Sequence, residues 1–250
     1  MNLSLDLNAD LGEGAPHDTE LLGLVTSASI ACGFHAGSAT IMHASISAAR
    51  DAGVAVGAHP GFEDRENFGR REIAISPKET FAIVVYQIGA FAAIASSIGI
   101  QPQHVKPHGA LYNLAARDEA VADAIARAVA AVNPSLFLFA PGESALARAA
   151  ENHGLRVVNE VFADRNYLGD GSLVPRARPD AILHDPEEAA QRVLRMLSDS
   201  KVRSVDGTDV TVRADTVCIH GDTPEAVEFA RALRLRLAQT GVVLGPPTSS

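Results

Sequence analysis

The stretch that decides the fold is Val54-Ala55-Val56-Gly57-Ala58-His59-Pro60-Gly61, a short apolar run that ends in histidine, proline and glycine. Three more apolar runs end in a similar way, at residues 31–37 (ACGFHAG), 105–109 (VKPHG) and 217–222 (VCIHGD). A fifth run, residues 5–13 (LDLNADLGE), ends in acids. Parallel strands that carry polar groups at their carboxyl ends, next to flexible turns, are typical of an α/β barrel with its active site at one mouth.

Helix-like segments alternate with these strand-like runs, and several of them end in glycine directly before the next strand, as at Gly53 and Gly154. The pattern predicts strands near residues 3–8, 28–33, 54–58, 103–106, 136–140, 156–161, 181–184 and 215–220. Such alternation indicates a parallel sheet. An open doubly wound sheet usually carries a glycine-rich phosphate loop after its first strand, whereas this first strand runs into acids. We therefore predict one domain over residues 1–250, a TIM-like (β/α) barrel of seven or eight parallel strands.

The composition narrows the class of protein. The chain has 250 residues, of which 47% are hydrophobic, and its formal net charge of −9 argues against nucleic acid as a partner. Its cysteines, Cys32 and Cys218, form no CxxC pair, and no signal segment opens the chain, so we expect a cytoplasmic protein. Residues 80–103 carry no charge, but glutamine, serine and glycine interrupt them, which predicts a buried helix and no membrane partner.

The first strand brings acids to the mouth of the predicted barrel. Alternation with a period of two places Leu5 and Leu7 on one face of the strand, and Asp6 and Asn8 on the other. In a barrel the leucines would face the helices and the polar residues would point inward. Asp10 and Glu13 follow at the mouth of the barrel.

Histidines end four of the predicted strands, namely His35, His59, His108 and His220. Imidazole is an acid or base near neutral pH and a common metal ligand. An aspartate with two histidines suits a divalent metal, which makes Asp10, His35 and His59 candidate ligands, although the spacing matches no compact metal motif. A buried lysine needs an acid or a ligand anion, so Lys106, inside a predicted strand, favours a functional role.

Arginines and further polar residues follow other strands. Arginine in a glycine-rich loop suits a carboxylate or phosphate clamp, although ordinary surface charge explains Arg70 or Arg71 equally well. Tyr112 is either a helix start or a pocket wall. The remaining candidates of this kind are Glu160, Asp164, Arg165, Arg176 and Asp222. The chain has no GxxxxGK[ST] loop, no GxGxxG and no GxSxG elbow, so any nucleotide binds by other means or on another chain.

Eight motifs, in order along nearly the whole chain, resemble the LamB/YcsF family of 5-oxoprolinase A subunits. They are residues 7–13 (LNADLGE), 31–37 (ACGFHAG), 57–60 (GAHP), 68–71 (FGRR), 105–113 (VKPHGALYN), 160–167 (EVFADRNY), 173–176 (LVPR) and 219–222 (IHGD). The resemblance implies a barrel of the glycoside hydrolase/deacetylase superfamily. It also implies a bacterial enzyme subunit that works with two partner subunits, of B and C type. Together they open 5-oxo-L-proline to L-glutamate, driven by hydrolysis of ATP to ADP and phosphate.

Residue roles follow as a hypothesis from the chemistry that such a reaction needs. Lys106, with a metal or Arg165, would stabilise negative charge, and His59 or His108, with Asp10, would activate water. Arg176 or Arg71 would hold the substrate carboxylate. The other residues that we expect at the substrate are Asn8, Glu13, His35, Tyr112, Glu160, Asp164, His220 and Asp222.

Several alternatives stay open at this stage. One rival is a stand-alone, metal-dependent amidase or deacetylase, and another is a non-catalytic module that binds a lactam or a carbohydrate. The sequence also leaves open whether ATP binds this chain or a partner, whether a metal is required, and whether the chain forms a homo-oligomer.

Overall fold

Parallel strands and helices alternate along the chain in the computed structural model, which describes residues 4–219 and 226–248. The strands are β1 (Ser4–Leu11), β2 (Ser27–Ala31), β3 (Ala55–His59), β4 (His104–Val105), β5 (Phe137–Pro141), β6 (Arg156–Phe162), β7 (Lys201–Arg203), β8 (Asp209–Thr211), β9 (Thr216–Ile219) and β10 (Val243–Leu244). The helices are α1 (Asp18–Leu22), α2 (Ala39–Ala52), α3 (Pro77–Ser97), α4 (Gly109–Ala115), α5 (Glu119–Val132), α6 (Ala145–Asn152), α7 (Pro186–Asp199) and α8 (Ala226–Gln239).

Seven of the described strands close into a parallel barrel in the order β1-β2-β3-β4-β5-β6-β9. The barrel closes because β9 pairs with β6 on one side and with β1 on the other, so that Thr216 stands opposite both Glu160 and Asp6. Strand β10 adds to β1 at Ser4 and Leu5. The predicted TIM-like barrel is therefore confirmed, with seven strands in the part of the chain that is described.

One predicted strand, at residues 181–184, is wrong. These residues turn back on the loop that follows β6, where Ile182 forms an isolated antiparallel bridge with Arg165. The Leu183 amide donates to the Asp164 carbonyl, and the Asn166 amide donates to the Ala181 carbonyl. Because these backbone groups are satisfied by the loop, the segment adds no strand to the barrel.

Alternation along β1 separates the two sides of the barrel wall, as predicted. Leu5 and Leu7 are fully buried in the core between the strands and the surrounding helices. Asp6 and Asn8 face inward, where each meets Thr216 from the neighbouring strand β9. One strand therefore supplies both the apolar core and the polar interior of the barrel.

Helix α3 contains the uncharged part of the chain, and it is the one described helix that is long and apolar enough to cross a membrane by length and composition. Its inner face packs against α5 and β3, with Val84, Ile88 and Phe91 fully buried. Its outer face reaches solvent, where Tyr86 lies against Phe34. A core helix passes the same length test, and the predicted burial holds for the inner face only.

Asp6 makes the stability of the barrel depend on pH. Its carboxylate accepts hydrogen bonds from the hydroxyls of Thr26, Ser27 and Thr216, at 2.6, 2.8 and 2.5 Å. Burial nevertheless raises the pKa of Asp6 from 3.8 to about 6, because the charged form loses its water. The folded state therefore holds this proton more tightly than the unfolded state, and the associated stabilisation disappears as the pH rises through 6.

We predict that the free energy of unfolding of the wild type falls by about 2 kcal/mol, relative to Asp6→Asn, between pH 4 and pH 7. Urea denaturation of the two proteins across this range measures the difference, since the variant has no group to titrate at this position. A difference that is constant with pH, or that grows toward neutral pH, would contradict the assignment.

Candidate active site

A cavity of about 1720 Å³ opens at the carboxyl ends of the barrel strands. The predicted site residues in its wall are Asp10, Glu13, His59, Lys106, His108, Tyr112, Glu160, Arg165 and Arg176. Polar groups from β1, β3, the β4–α4 connection and β6 therefore meet at one mouth. This convergence is the arrangement that the strand-end pattern predicts.

Glu13 and three histidines form a compact cluster at one side of the cavity. The Glu13 Oε1 atom lies 3.0 Å from His35 Nε2, 3.2 Å from His108 Nδ1 and 3.7 Å from His59 Nε2. The ring of His35 stacks on that of His108, with centroids 3.7 Å apart, and His59 stands edge-on to both rings. All three histidines are buried.

Backbone carbonyls fix the orientation of two of these rings. His59 Nδ1 donates to the Lys106 carbonyl at 2.7 Å, and His108 Nε2 donates to the Phe68 carbonyl at 2.8 Å. Phe68 adopts a left-handed conformation, with φ of +56°, which is unusual for a residue with a side chain. At Gly69 a Cβ atom would come within 2.9 Å of the His108 ring, so only glycine lets the loop approach this closely.

Lys106 forms the second polar group, which joins four elements of the barrel. Its Nζ lies 2.9 Å from Asp10 Oδ1, 2.7 Å from Glu160 Oε1, 3.0 Å from Asn8 Oδ1 and 3.1 Å from Cys218 Sγ. The side chain is 3% exposed. A buried ammonium is tolerated here because two carboxylates compensate its charge.

Burial and neighbouring charges shift the pKa values of residues in the Glu13–histidine cluster and in the polar group around Lys106. Burial alone would lower the pKa of Lys106, but the charges of Asp10 and Glu160 hold it well above its ordinary value. Burial alone would also raise the pKa of Glu13, but the neighbouring imidazoles of His108 and His35 hold it well below its usual range. The pKa of His59 is raised despite burial, chiefly by Asp10, whereas burial lowers the pKa of His35 to about 3. The site therefore keeps the Glu13 carboxylate charged at neutral pH.

The structure places the other predicted site residues as follows. Arg71 is exposed, lies 3.7 Å from Asp64, and is not among the described residues of the cavity wall, where Arg70 stands instead. Asp164 follows β6 beside Arg165 and is likewise not among the described wall residues. Asn8 and His35 lie behind the wall and contact Glu160 and Glu13 respectively. His220 and Asp222 lie outside the described residues.

The structure adds functional residues that sequence reasoning missed. Phe68 belongs to the FGRR motif, but the role of its carbonyl is visible only once the loop meets His108. Arg65 donates to the carbonyls of Gly33 and Gly37, and so holds the loop that carries His35. Backbone acceptors leave no signal in the identity of a residue, which is why the sequence could not indicate them.

The cluster contains a set of metal-ligand atoms. One atom from each of Glu13, His35, His59 and His108 lies within 4.8 Å of the other three, a spacing that fits a single metal ion. The sequence instead predicts Asp10 with His35 and His59. Asp10 is not a member of this group, although its Oδ2 lies 3.4 Å from His59 Nε2, and its other oxygen is held by Lys106.

Comparison with known proteins identifies the family. The family model described as the LamB/YcsF family matches residues 5–250. The chain belongs to the LamB/YcsF family. This match confirms the family resemblance that the sequence motifs indicate.

Individual relatives of this LamB/YcsF protein extend the comparison. The 5-oxoprolinase A subunit of Geobacillus kaustophilus is 52% identical over 248 residues, which are 98% of this chain and 97% of that protein. The crystal structure of the lactam utilization protein from Thermus thermophilus superposes with a TM-score of 0.91 at 50% identity, over 97% of this chain and 99% of that chain. A family 4 carbohydrate esterase from Streptomyces lividans shares the fold alone, with a TM-score of 0.50 at 13% identity, over 99% of this chain and 93% of that chain.

We predict that Lys106→Met lowers the free energy of unfolding by about 3–5 kcal/mol, because it leaves two buried carboxylates without their cation. Urea denaturation monitored by circular dichroism measures the loss. Lys78→Met, at an exposed position, serves as the matched control and should change stability by less than about 0.5 kcal/mol. Equal stability of the two variants would show that Lys106 does not hold Asp10 and Glu160 together.

Proposed function

We propose that this chain is the A-type component of an ATP-dependent 5-oxoprolinase, which opens 5-oxo-L-proline to L-glutamate while ATP is hydrolysed to ADP and phosphate. Two partner subunits, of B and C type, would complete the enzyme. The observation that carries the proposal is a full-length relationship to a protein named as the A subunit of 5-oxoprolinase, joined to a cavity in which carboxylates, imidazoles and guanidinium groups converge.

The chemistry explains why ATP would be needed. The lactam of 5-oxoproline is a stable amide, and transfer of the γ-phosphoryl group to its carbonyl oxygen makes the carbon electrophilic. A new O–P bond forms as the bond from the γ-phosphorus to ADP breaks. Water then adds to the carbon and gives its proton to a base, and the ring C–N bond breaks as the nitrogen takes up a proton, which leaves the acyl phosphate of the opened chain. A second water hydrolyses this acyl phosphate to glutamate and phosphate, so each turnover consumes two waters.

Arg165 suits the anchor of the substrate carboxylate. It is 6% exposed, lies in the cavity wall, and donates to the Val174 carbonyl at 2.6 Å. Among the described residues Arg165 makes no ion pair. Burial lowers the pKa of its guanidinium, and the nearby positive charge of Arg176 lowers it further. A buried guanidinium that forms no ion pair within the described residues suits the anionic group of a substrate.

Tyr112 and Glu160 suit the polar edge of the lactam. The Tyr112 hydroxyl and Glu160 Oε2 are buried, and among the described residues neither has a hydrogen-bond partner of normal geometry. We assign the hydroxyl as a donor to the lactam carbonyl and the carboxylate as an acceptor from the lactam N–H. In this assignment Asp10 takes the proton from water. The charge of Lys106, whose Nζ lies 2.9 Å from Asp10 Oδ1 and 2.7 Å from Glu160 Oε1, stabilises negative charge in the cavity.

The cavity has room for more than the small lactam. Pockets for drug-sized ligands typically measure about 300–1,000 Å³, and this cavity measures about 1720 Å³. The excess volume supports a second ligand beside 5-oxoproline, either ATP or a segment of a partner protein.

The cluster of Glu13 and three histidines favours one rival, a stand-alone metal-dependent amidase that needs no ATP. Dependence on ATP and on partner subunits separates this rival from the proposed function.

We predict 5-oxoproline-dependent release of ADP by the full chain mixed with its B- and C-type partners, and none by the chain alone. A coupled assay for ADP, with glutamate measured in parallel, tests this. The matched control is a mixture that contains Asp10→Asn, which should lose turnover by at least about 100-fold. Glutamate formed by the chain alone without ATP would overturn the proposal in favour of the amidase.

We predict that Arg165→Met in the assembled enzyme raises KM for 5-oxoproline by about 10- to 100-fold, because a charged hydrogen bond to the carboxylate is lost. Steady-state kinetics on 5-oxoproline measure the change, with Arg50→Met, at an exposed arginine paired with Asp51, as the control. An unchanged KM in Arg165→Met would mean that another group binds the carboxylate of 5-oxoproline.

A further inference from the structure

Three hydrogen-bond acceptor atoms of the cluster lie close together, and no hydrogen atom lies between them when both histidines are neutral. His59 Nδ1 and His108 Nε2 both face backbone carbonyls, which only accept, so the hydrogen of each neutral ring lies on that outer nitrogen. The inner nitrogens, His59 Nε2 and His108 Nδ1, then face each other as lone pairs at 2.9 Å. The Glu13 carboxylate lies 3.7 and 3.2 Å from the same two atoms.

A cation placed between the three atoms would remove the repulsion between their lone pairs. The number of acceptors decides whether a proton or a metal ion suits this position. A single proton on either ring makes one good hydrogen bond and leaves the third acceptor facing a lone pair. A metal ion attracts all three donor atoms at once. With bonds of about 2.0–2.1 Å, tetrahedral ligands stand roughly 3.3 Å apart, which matches the observed separations of 2.9, 3.2 and 3.7 Å.

We propose that the chain binds one first-row transition-metal ion of the Zn²⁺ type through Glu13 Oε1, His59 Nε2 and His108 Nδ1. Two imidazoles and one carboxylate suit such an ion, whereas Mg²⁺ prefers oxygen ligands alone. The proposed ion is therefore distinct from any Mg²⁺ that accompanies ATP. The Lys106 and Phe68 carbonyls, which hold the outer nitrogens, are the backbone partners that orient metal-bound histidines.

His35 holds Glu13 and is not a ligand in this assignment. Its Nδ1 is buried and has no hydrogen-bond partner among the residues that the structure describes, and a Cβ atom on Gly61 would lie only 2.6 Å away, which shows how closely the backbone packs there. If Nε2 bound the metal, the ring hydrogen would sit on Nδ1 as a buried donor without an acceptor, which is rare in proteins. With the hydrogen on Nε2, His35 donates to Glu13 at 3.0 Å and orients the carboxylate. Asp10 stays outside the ligand set, paired with Lys106.

The test is metal binding by the tag-free full chain, without ATP, lactam or partners. After removal of metal with a chelator, we expect the wild type to take up one equivalent of Zn²⁺ in equilibrium dialysis with elemental analysis. We also expect Co²⁺ to give visible d–d absorption that Zn²⁺ abolishes, and millimolar Mg²⁺ to leave both results unchanged. Absence of Zn²⁺ and Co²⁺ binding by the wild type, or equal binding of Mg²⁺, would overturn the proposal and leave a proton between the rings.

Variants test the ligand set. We expect Glu13→Gln, His59→Gln and His108→Gln to weaken Zn²⁺ binding by at least about 100-fold, and His35→Gln to weaken it by about 10-fold while the Co²⁺ spectrum is kept. His153→Gln, at a surface histidine paired with Asp123, is the matched control and should bind like the wild type. Circular dichroism of each metal-free variant checks that it is folded. If a variant fails to fold, the wild-type Co²⁺ spectrum still tests the metal site. Loss of binding in His35→Gln as complete as in His59→Gln would make His35 a ligand and overturn the three-donor assignment.

The inference stands apart from the proposed 5-oxoprolinase activity, because metal uptake is measured without turnover. A chain that binds Zn²⁺ but supports no ADP release refutes the proposed function alone. A chain that turns over in the complex yet binds no transition metal refutes the metal site alone.

Discussion

The ammonium group of Lys106 is the interaction on which the rest of the site depends. It follows β4 and pairs with Asp10 from β1 and Glu160 from β6, so it ties together strands from different parts of the barrel wall. Neither the lysine nor the two carboxylates could be buried alone, because each would lose its hydration without compensation. Together they place two acidic groups and one basic group at the floor of an otherwise packed barrel.

Backbone geometry, rather than side-chain identity, sets the chemistry of the neighbouring cluster. The carbonyls of Lys106 and Phe68 decide which nitrogen of His59 and of His108 faces Glu13. The Phe68 carbonyl reaches its position only because the loop after β3 enters the left-handed region at Phe68 and passes over the rings at Gly69. This unusual backbone yields a fixed tautomer, which is what a metal or proton site at these nitrogens requires.

Two charge environments share one cavity. The carboxylates and imidazoles line its inner side, and Arg165 and Arg176 stand in its wall beyond β6. A ligand that carries an anionic group at one end and an amide at the other can satisfy both environments at once. This polarity agrees with a lactam that bears a carboxylate, and it links the family relationship to features of the cavity itself.

The sequence by itself determined the local features of this protein. The alternation of Asp6 and Asn8 with leucines, the histidines at strand ends and the motifs of the LamB/YcsF family are all visible along the chain. They predict the barrel, and nine of the candidate residues that they indicate line its cavity. The segment at residues 181–184 shows the limit, because a short apolar run predicts a strand equally well whether it joins the barrel or bonds to the loop after β6. Only the tertiary structure decided that Lys106 meets Glu160, that Glu13 rather than Asp10 joins the histidines, and that Arg71 stays outside the cavity wall. The physical reason is that strand periodicity is set by neighbouring residues, whereas these contacts depend on barrel closure and on backbone carbonyls, which every residue carries alike.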